Sequence, residues 1–259
     1  MTNDLWHALH HELDRWSENG RQVRLWLRDD DAIAPSAALG RLSDIAERFD
    51  APVLLAVIPM LAKPALEPAL RSMPLLRPCQ HGNWHRNHAP ADAKKSEFGP
   101  DREASIVDAE IALGRRQLAD RLGPAVLPIF VPPWNRIDPG HAARLPEIGF
   151  AGLSCFRDFR LKSEGGPRLL NTQIDVMDWH GGRIGRSPDA LVAEIIAWLV
   201  AERDKEGTRD ADLGLLLHHR DHDETVWSFL AAFLGAASAH PALSTIDPSA
   251  LLTDAPVAA

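Results

Sequence analysis

The 259-residue chain is 45% hydrophobic and 25% charged, the balance of a globular protein long enough to bury a core without disulfides. Its 36 acidic against 28 basic residues are interspersed and form no basic stripe, which argues against a nucleic-acid surface, and no apolar run approaches a membrane span. Cys79 and Cys155, far apart and outside any CxxC, together with a mixed-charge start that lacks a signal-peptide h-region, predict a reduced, cytoplasmic protein.

In chain order, Leu5, Leu9, Leu13 and Trp16 recur at helical spacing and predict an amphipathic helix over 4–19, ending at Gly20. VRLWLRD (23–29) follows as a buried strand running into acid. Pro35 and Ser36 open a helix over 37–49, and the apolar run VLLAVIP (53–59) suits a parallel strand covered on both faces. A helix over 64–73 leads to a short strand ending at Gln80-His81, and the polar, Pro/Gly-punctuated stretch 86–100 predicts a loop. Then come a long helix over 101–122, strand LPIFV (127–131), a short helix over 139–147, GFAGLSC (149–155) and a loop at 157–168. LLNTQIDVMDW (169–179) starts as a strand, and a helix over 188–204, strand LGLLL (213–217) and a helix over 225–239 follow, with TDAPVAA as a frayed tail. Strands alternate with helices in about seven units, without repeat or linker. This predicts one α/β domain over 1–259, its core about 22–247, as a closed or nearly closed barrel, with a doubly wound sheet as the alternative.

The chemistry collects where strands end, the place where α/β barrels build their sites. One strand runs into Arg28-Asp29-Asp30-Asp31, another into His81-Gly82-Asn83-Trp84-His85, and others into Pro132-Pro133-Trp134-Asn135, Asp175 to Trp179, and His218-His219. His81 and His85 are four apart, so a helical turn would put both imidazoles on one side, ready to share a metal with a carboxylate from elsewhere. Three adjacent aspartates after an apolar strand repel one another and lose water. A helix cap would use one of them, so the surplus favours a cation site. For His88, His180, His222 and Asp223 an exposed or structural role is expected, and Trp134 and Trp179 serve either packing or an apolar wall for substrate.

These five segments resemble, in order, the five short motifs of the polysaccharide deacetylases of carbohydrate esterase family four. Leu27 to Asp31 resembles Thr-Phe-Asp-Asp-Gly; His81 to His85 resembles His-Ser/Thr-x-x-His; Val131 to Trp134 resembles Arg-x-Pro-x. Asp175 to Trp179 is similar to Asp-x-x-Asp-Trp, and Leu215 to His218 to Leu-x-x-His. The resemblance covers about residues 22–247. It implies a distorted (β/α) barrel of about seven strands, Asp30, His81 and His85 as metal ligands, Asp29 as general base and His218 as leaving-group acid. Pro133, Trp134, Asp175, Asp178 and Trp179 would line substrate or support these groups.

Departures leave alternatives open. Asp31 stands where the family has glycine, so Asp30 as base with Asp31 as ligand is also compatible, and His219 competes with His218. Val131 stands in place of the arginine that orients the base, with Arg28 and Arg136 as the nearest substitutes. The implied cofactor is one divalent ion, Zn²⁺ first, with Co²⁺, Ni²⁺ or Mn²⁺ also fitting. The implied substrate is an N-acetyl amino sugar or glycan, cleaved to acetate and amine. Rival readings are a same-fold hydrolase of a small cyclic imide or ureide and a non-catalytic carbohydrate-binding relative. No nucleic-acid or membrane partner is expected.

Overall fold

The computed structural model describes residues 3–161, 165–205 and 210–253. Most of the tail TDAPVAA and part of the loop expected at 157–168 lie outside the described residues. Contacts divide the chain into two compact units, one of Met1–Arg28, Ala38–Val53 and Gln173–Ala259, the other of Asp29–Ala37 and Leu54–Thr172. Two of the four boundaries fall inside strands, between Arg28 and Asp29 and between Val53 and Leu54, so no linker marks them there.

The elements in order are α1 (Asn3–Glu18), β1 (Val23–Ala32), α2 (Ala37–Phe49), β2 (Val53–Val57), α3 (Leu66–Arg71), β3 (Leu76–His81) and α4 (Ala104–Leu122). β4 (Ile129–Val131) runs into a 3-10 turn at Pro133–Asn135, followed by α5 (Pro139–Ala143), α6 (Leu145–Ile148), β5 (Gly152–Leu153) and β6 (Arg168–Leu169). Then come β7 (Ile174–Asp175), β8 (Met177–Asp178), β9 (Ile184–Gly185), α7 (Pro188–Arg203), β10 (Ala211–Leu217), α8 (Glu224–Ala239), β11 (Leu243–Thr245) and α9 (Ala250–Thr253). The α/β class expected from the alternation holds. β1 runs three residues beyond its expected end, so all three aspartates lie within the strand. β11 and the β8–β9 hairpin were not expected.

The second unit orders its strands β6-β5-β4-β3-β2 and continues to β1, whose last four residues belong to it. β3–β4, β4–β5 and β5–β6 pair in parallel, with His81 opposite Val131. Beneath them Phe98, Val107, Ile111, Phe130, Phe150 and Leu153 share one buried cluster. The Phe130 ring lies 5.6 Å from Phe98 and 5.3 Å from Phe150. Fully burying a side chain of this kind stabilises by about 1.5–3 kcal/mol, so this cluster anchors the strand ends that carry His81 and Val131. Cys79 and Cys155 are both buried here.

In the first unit β11 and β10 flank the start of β1, and β7 pairs in parallel with β10, Asp175 opposite Leu216. The helical spacing read in α1 buries Leu9, Leu13 and Trp16, and the helix packs on α7. Arg21 lies 4.4 Å over the Trp16 ring and donates to the Arg203 carbonyl at 2.7 Å, tying the end of α1 to that of α7. Ser187 caps α7 by accepting from the Ala190 amide at 3.2 Å, with Pro188 in the first turn where a missing N–H costs nothing. Among the described residues no helix is long and apolar enough to cross a membrane.

Candidate metal centre

Strand β1 delivers three aspartates. Asp29 and Asp30, adjacent on an extended strand, address opposite faces; both are buried. Asp31 departs from the strand geometry with φ +73°, a left-handed conformation that aspartate tolerates better than most residues. Its carboxylate is the one that meets the imidazoles: Oδ1 lies 3.2 Å from Nε2 of His81 and 3.2 Å from Nε2 of His85. Asp31, His81 and His85 are, among the described residues, the one group of three His, Cys, Asp or Glu whose ligand atoms all lie within 4.8 Å of one another. The carboxylate beside the histidines is therefore the alternate, Asp31, rather than Asp30.

Burial pushes the Asp31 carboxyl up, but hydrogen bonds and positive charge from His81 and His85 outweigh it and hold the group well below the usual carboxylate range. The donor set suits a divalent first-row ion. For bonds of about 2.1 Å, ligand atoms around one ion are about 3.0 Å apart in an octahedron and about 3.4 Å in a tetrahedron, and 3.2 Å lies between. His81 Nδ1 is 3.0 Å from the Val131 carbonyl oxygen. A proton on Nδ1 donated there leaves the Nε2 lone pair for a metal, the usual way a protein fixes the tautomer of a ligating histidine. Val131 thus contributes its main chain where its side chain departs from the motif.

The expected helical turn between the histidines is absent. His81 ends β3, and the chain turns through Gly82 (φ +54°) to His85 (φ +56°). Two left-handed residues three apart bring the rings of His81 and His85 to 5.2 Å, tilted by 54°. The ring of Trp134 lies 4.5 Å from that of His85; it is carried by the turn after β4, where Trp134 and Asn135 also have positive φ, +56° and +58°. Pro133 is buried beside Gly82, whose Cβ position lies 2.5 Å from Pro133 Cγ. Asp31, His85 and Trp134 all hold conformations costing about 1–3 kcal/mol; such strain gathers where a site over-determines the backbone.

Sequence reasoning missed Glu97, fully buried in the polar loop, whose carboxylate accepts from the Asn83 and Trp84 amides at 3.1 and 2.7 Å. Nothing in the polar loop set it apart from Asp92, the other acid there. Arg136 donates to the Lys95 carbonyl at 3.1 Å, bracing that same loop. Arg28 is fully buried on β1.

The first unit holds the remaining motif residues. His218 and His219, at the end of β10, are buried, and the His218 amide donates to Nε2 of His222 at 3.0 Å. Asp175 accepts from the Trp179 indole at 2.8 Å and from the Met177 amide at 2.9 Å. The Trp179 ring in turn stands edge-on to His218 at 4.6 Å. Arg183 lies 5.4 Å over Trp179 and pairs with Asp221 at 3.0 Å. Asp178 accepts from the amides of His180 and Gly181 at 3.1 and 2.7 Å, closing the turn between β8 and β9. Asp223 caps α8 through the Val226 amide and also accepts from Gly185; these bonds hold its carboxyl below the usual range. His88 and His180 are exposed.

No protein-family model matches the chain, and no curated protein matches it. Solved structures do match. One assigned as a polysaccharide deacetylase from Mycobacterium smegmatis is 17% identical, with 90% of each chain covered and a TM-score of 0.65. Another so assigned, from Pseudomonas aeruginosa PAO1, is 14% identical, with 92% of each chain covered and a TM-score of 0.65. A family 4 acetyl xylan esterase from Clostridium thermocellum, solved with a cobalt ion, is 14% identical, with 90% of this chain and 91% of that one covered and a TM-score of 0.56. The fold of this chain is the distorted (β/α) barrel of the polysaccharide deacetylases and family 4 carbohydrate esterases.

Proposed function

We infer that the protein is a metal-dependent hydrolase that removes the acetyl group from the amide nitrogen of an amino sugar or glycan. The observation that carries this reading is the gathering of Asp31, His81 and His85, their ligand atoms within 4.8 Å of one another, on a fold whose solved members include ones described as deacetylases and acetyl esterases. A divalent ion held by these three groups supplies Lewis acidity, polarising a carbonyl and acidifying water. Zn²⁺ suits a set of one carboxylate and two imidazoles, and Co²⁺, Ni²⁺ and Mn²⁺ fit it too.

The protein's own groups then move protons. With Asp31 as ligand, the carboxylate directly before it in the motif is Asp30, which takes the place of the base in the resemblance; Asp29 is the other candidate. The base accepts the proton of the attacking water, and the new C–O bond forms as the carbonyl π pair moves to oxygen. When that pair returns, the C–N bond breaks and the departing nitrogen takes up a proton, a step worth about 10²–10⁴ in rate when a side chain supplies it; the resemblance gives that role to His218. Acetate and a free amine result. The indole of Trp179, oriented by Asp175 and set against the His218 ring, favours His218 over His219 for this role. A cytoplasmic location remains part of the proposal.

The test is a panel in which chelator-stripped protein, with and without added Zn²⁺ or Co²⁺, meets N-acetylated chito-oligosaccharides and small cyclic imides or ureides. The reading expects acetate release that requires metal. Ring-opening of cyclic amides alone would move the assignment to the rival hydrolase, and sugar binding without turnover would move it to a non-catalytic relative.

A further inference from the structure

The turn that carries His85 is held in part by a residue outside every motif. Five of its backbone groups have identified partners, as buried peptide groups require. The Gly82 amide donates to the Val131 carbonyl at 2.9 Å, and the Asn83 carbonyl accepts from the Met60 amide at 3.2 Å. The Gly82 carbonyl accepts from Gln80 Nε2 at 2.9 Å. Two successive amides, Asn83 and Trp84, point together at the Glu97 carboxylate, Oε2 taking the first at 3.1 Å and Oε1 the second at 2.7 Å. Consecutive N–H groups aimed at one point form a concavity for an anion, and here a side chain of the same unit fills it. Hydrogen bonds to an ionised acceptor are shorter and roughly twice as strong as neutral ones.

Glu97 is itself held. It is 0% exposed, its carbonyl accepts from Arg102 Nη1 at 3.1 Å, and the next residue, Phe98, lies in the buried cluster with its carbonyl taking the Asp138 amide at 2.8 Å. The carboxylate leaves no room for a side chain at position 82, where a Cβ would overlap Oε2. Gly82 stands where the resembled motif has serine or threonine, and the close approach of Glu97 and Pro133, with a φ of +54°, favours glycine there.

We propose that Glu97 is a positioning residue of the metal centre: by gripping the Asn83 and Trp84 amides it sets the turn that brings Nε2 of His85, together with that of His81, onto Asp31. The proposal rests on the metal-centre reading above, and extends it to a residue that touches no metal. Removing a group that orients ligands typically weakens metal affinity about 10–100-fold.

The experiment compares the wild type with Glu97→Gln, Glu97→Ala and the exposed control Glu103→Gln. In metal-free protein, amide exchange at Asn83 and Trp84 is measured; in the same preparations, Co²⁺ affinity is read by chelator competition and the ligand field by the visible Co²⁺ spectrum. Glutamine keeps the size but turns an NH₂ toward one of the two amides. Glu97→Gln is therefore expected to speed exchange of at least one of them about tenfold, weaken Co²⁺ binding about 10–100-fold and shift the Co²⁺ bands, while Glu103→Gln changes none of these. A role in folding alone would lower the unfolding midpoint and leave the Co²⁺ spectrum in place. Should Glu97→Ala not fold, the near-isosteric Gln variant decides. Unchanged exchange, or Co²⁺ affinity and spectrum within twofold of the wild type, overturns the proposal. A wild type that takes up no Co²⁺ at all refutes the metal centre instead, and the exchange rates then decide alone whether Glu97 sets the turn.

Discussion

Replacing Gly82 by alanine separates two costs that the structure assigns to that position. The first is conformational: φ is +54°, and an L-residue in the left-handed region costs about 1–2 kcal/mol. The second is steric: the added Cβ would overlap Glu97 Oε2 and lie 2.5 Å from Pro133 Cγ, and overfilling a packed interior costs about 1–3 kcal/mol. Gly20 supplies the control, because its φ is +65° and nothing lies within 4 Å of its Cβ position; Gly20→Ala should carry the first cost only. Chemical denaturation of metal-free protein should therefore place Gly82→Ala about 1–3 kcal/mol below Gly20→Ala. Because the displaced atoms belong to the groups that hold the His85 turn, Gly82→Ala should also weaken Zn²⁺ binding in chelator competition, while Gly20→Ala leaves it unchanged. Equal destabilisation by the two variants, with equal Zn²⁺ affinity, would refute the reasoning about the close approach.

Four further substitutions probe the site and unit one. Asp30→Asn and Asp29→Asn should both leave the metal bound, and the one that abolishes acetate release identifies the base; the motif register predicts Asp30, while His218→Ala should lower turnover by about 10²–10⁴. Asp223→Ala removes the cap of α8 and should cost about 1 kcal/mol at neutral pH. The folded carboxyl is depressed chiefly by the Gly185 amide, so its contribution is present above the unfolded pKa and is lost as pH falls through the folded value. Denaturation midpoints of wild type and variant should accordingly converge in acid; a gap that persists there would show that the cap does not act through its charge.

Much of the scaffold was legible because periodicity reports burial directly: Leu9, Leu13 and Trp16 in α1, the apolar runs of β1, β2 and β10, and the His81 strand end all stand where pattern put them. What escaped was set by partners distant in sequence or by backbone geometry that residue identity does not encode. The H-x-x-x-H spacing suggested a helical turn, yet the same convergence is reached by two left-handed residues braced by Glu97, 13 and 14 residues beyond the amides it binds. The choice among three adjacent aspartates turned on the φ of Asp31, which aspartate permits but does not announce. Short strands such as β11 and the β8–β9 hairpin carry too few residues for alternation to show, and the hairpin turn is closed by Asp178, a residue whose motif position had suggested a place near substrate.

The central claim is that one cation sits between Asp31, His81 and His85. Anomalous diffraction from crystals of the Zn²⁺-loaded protein reads this without recourse to activity. The account predicts a single strong peak about 2.0–2.2 Å from the Asp31 carboxylate and from Nε2 of both histidines. No peak there, or an ion held by Asp30 with Asp31 turned away, would contradict it.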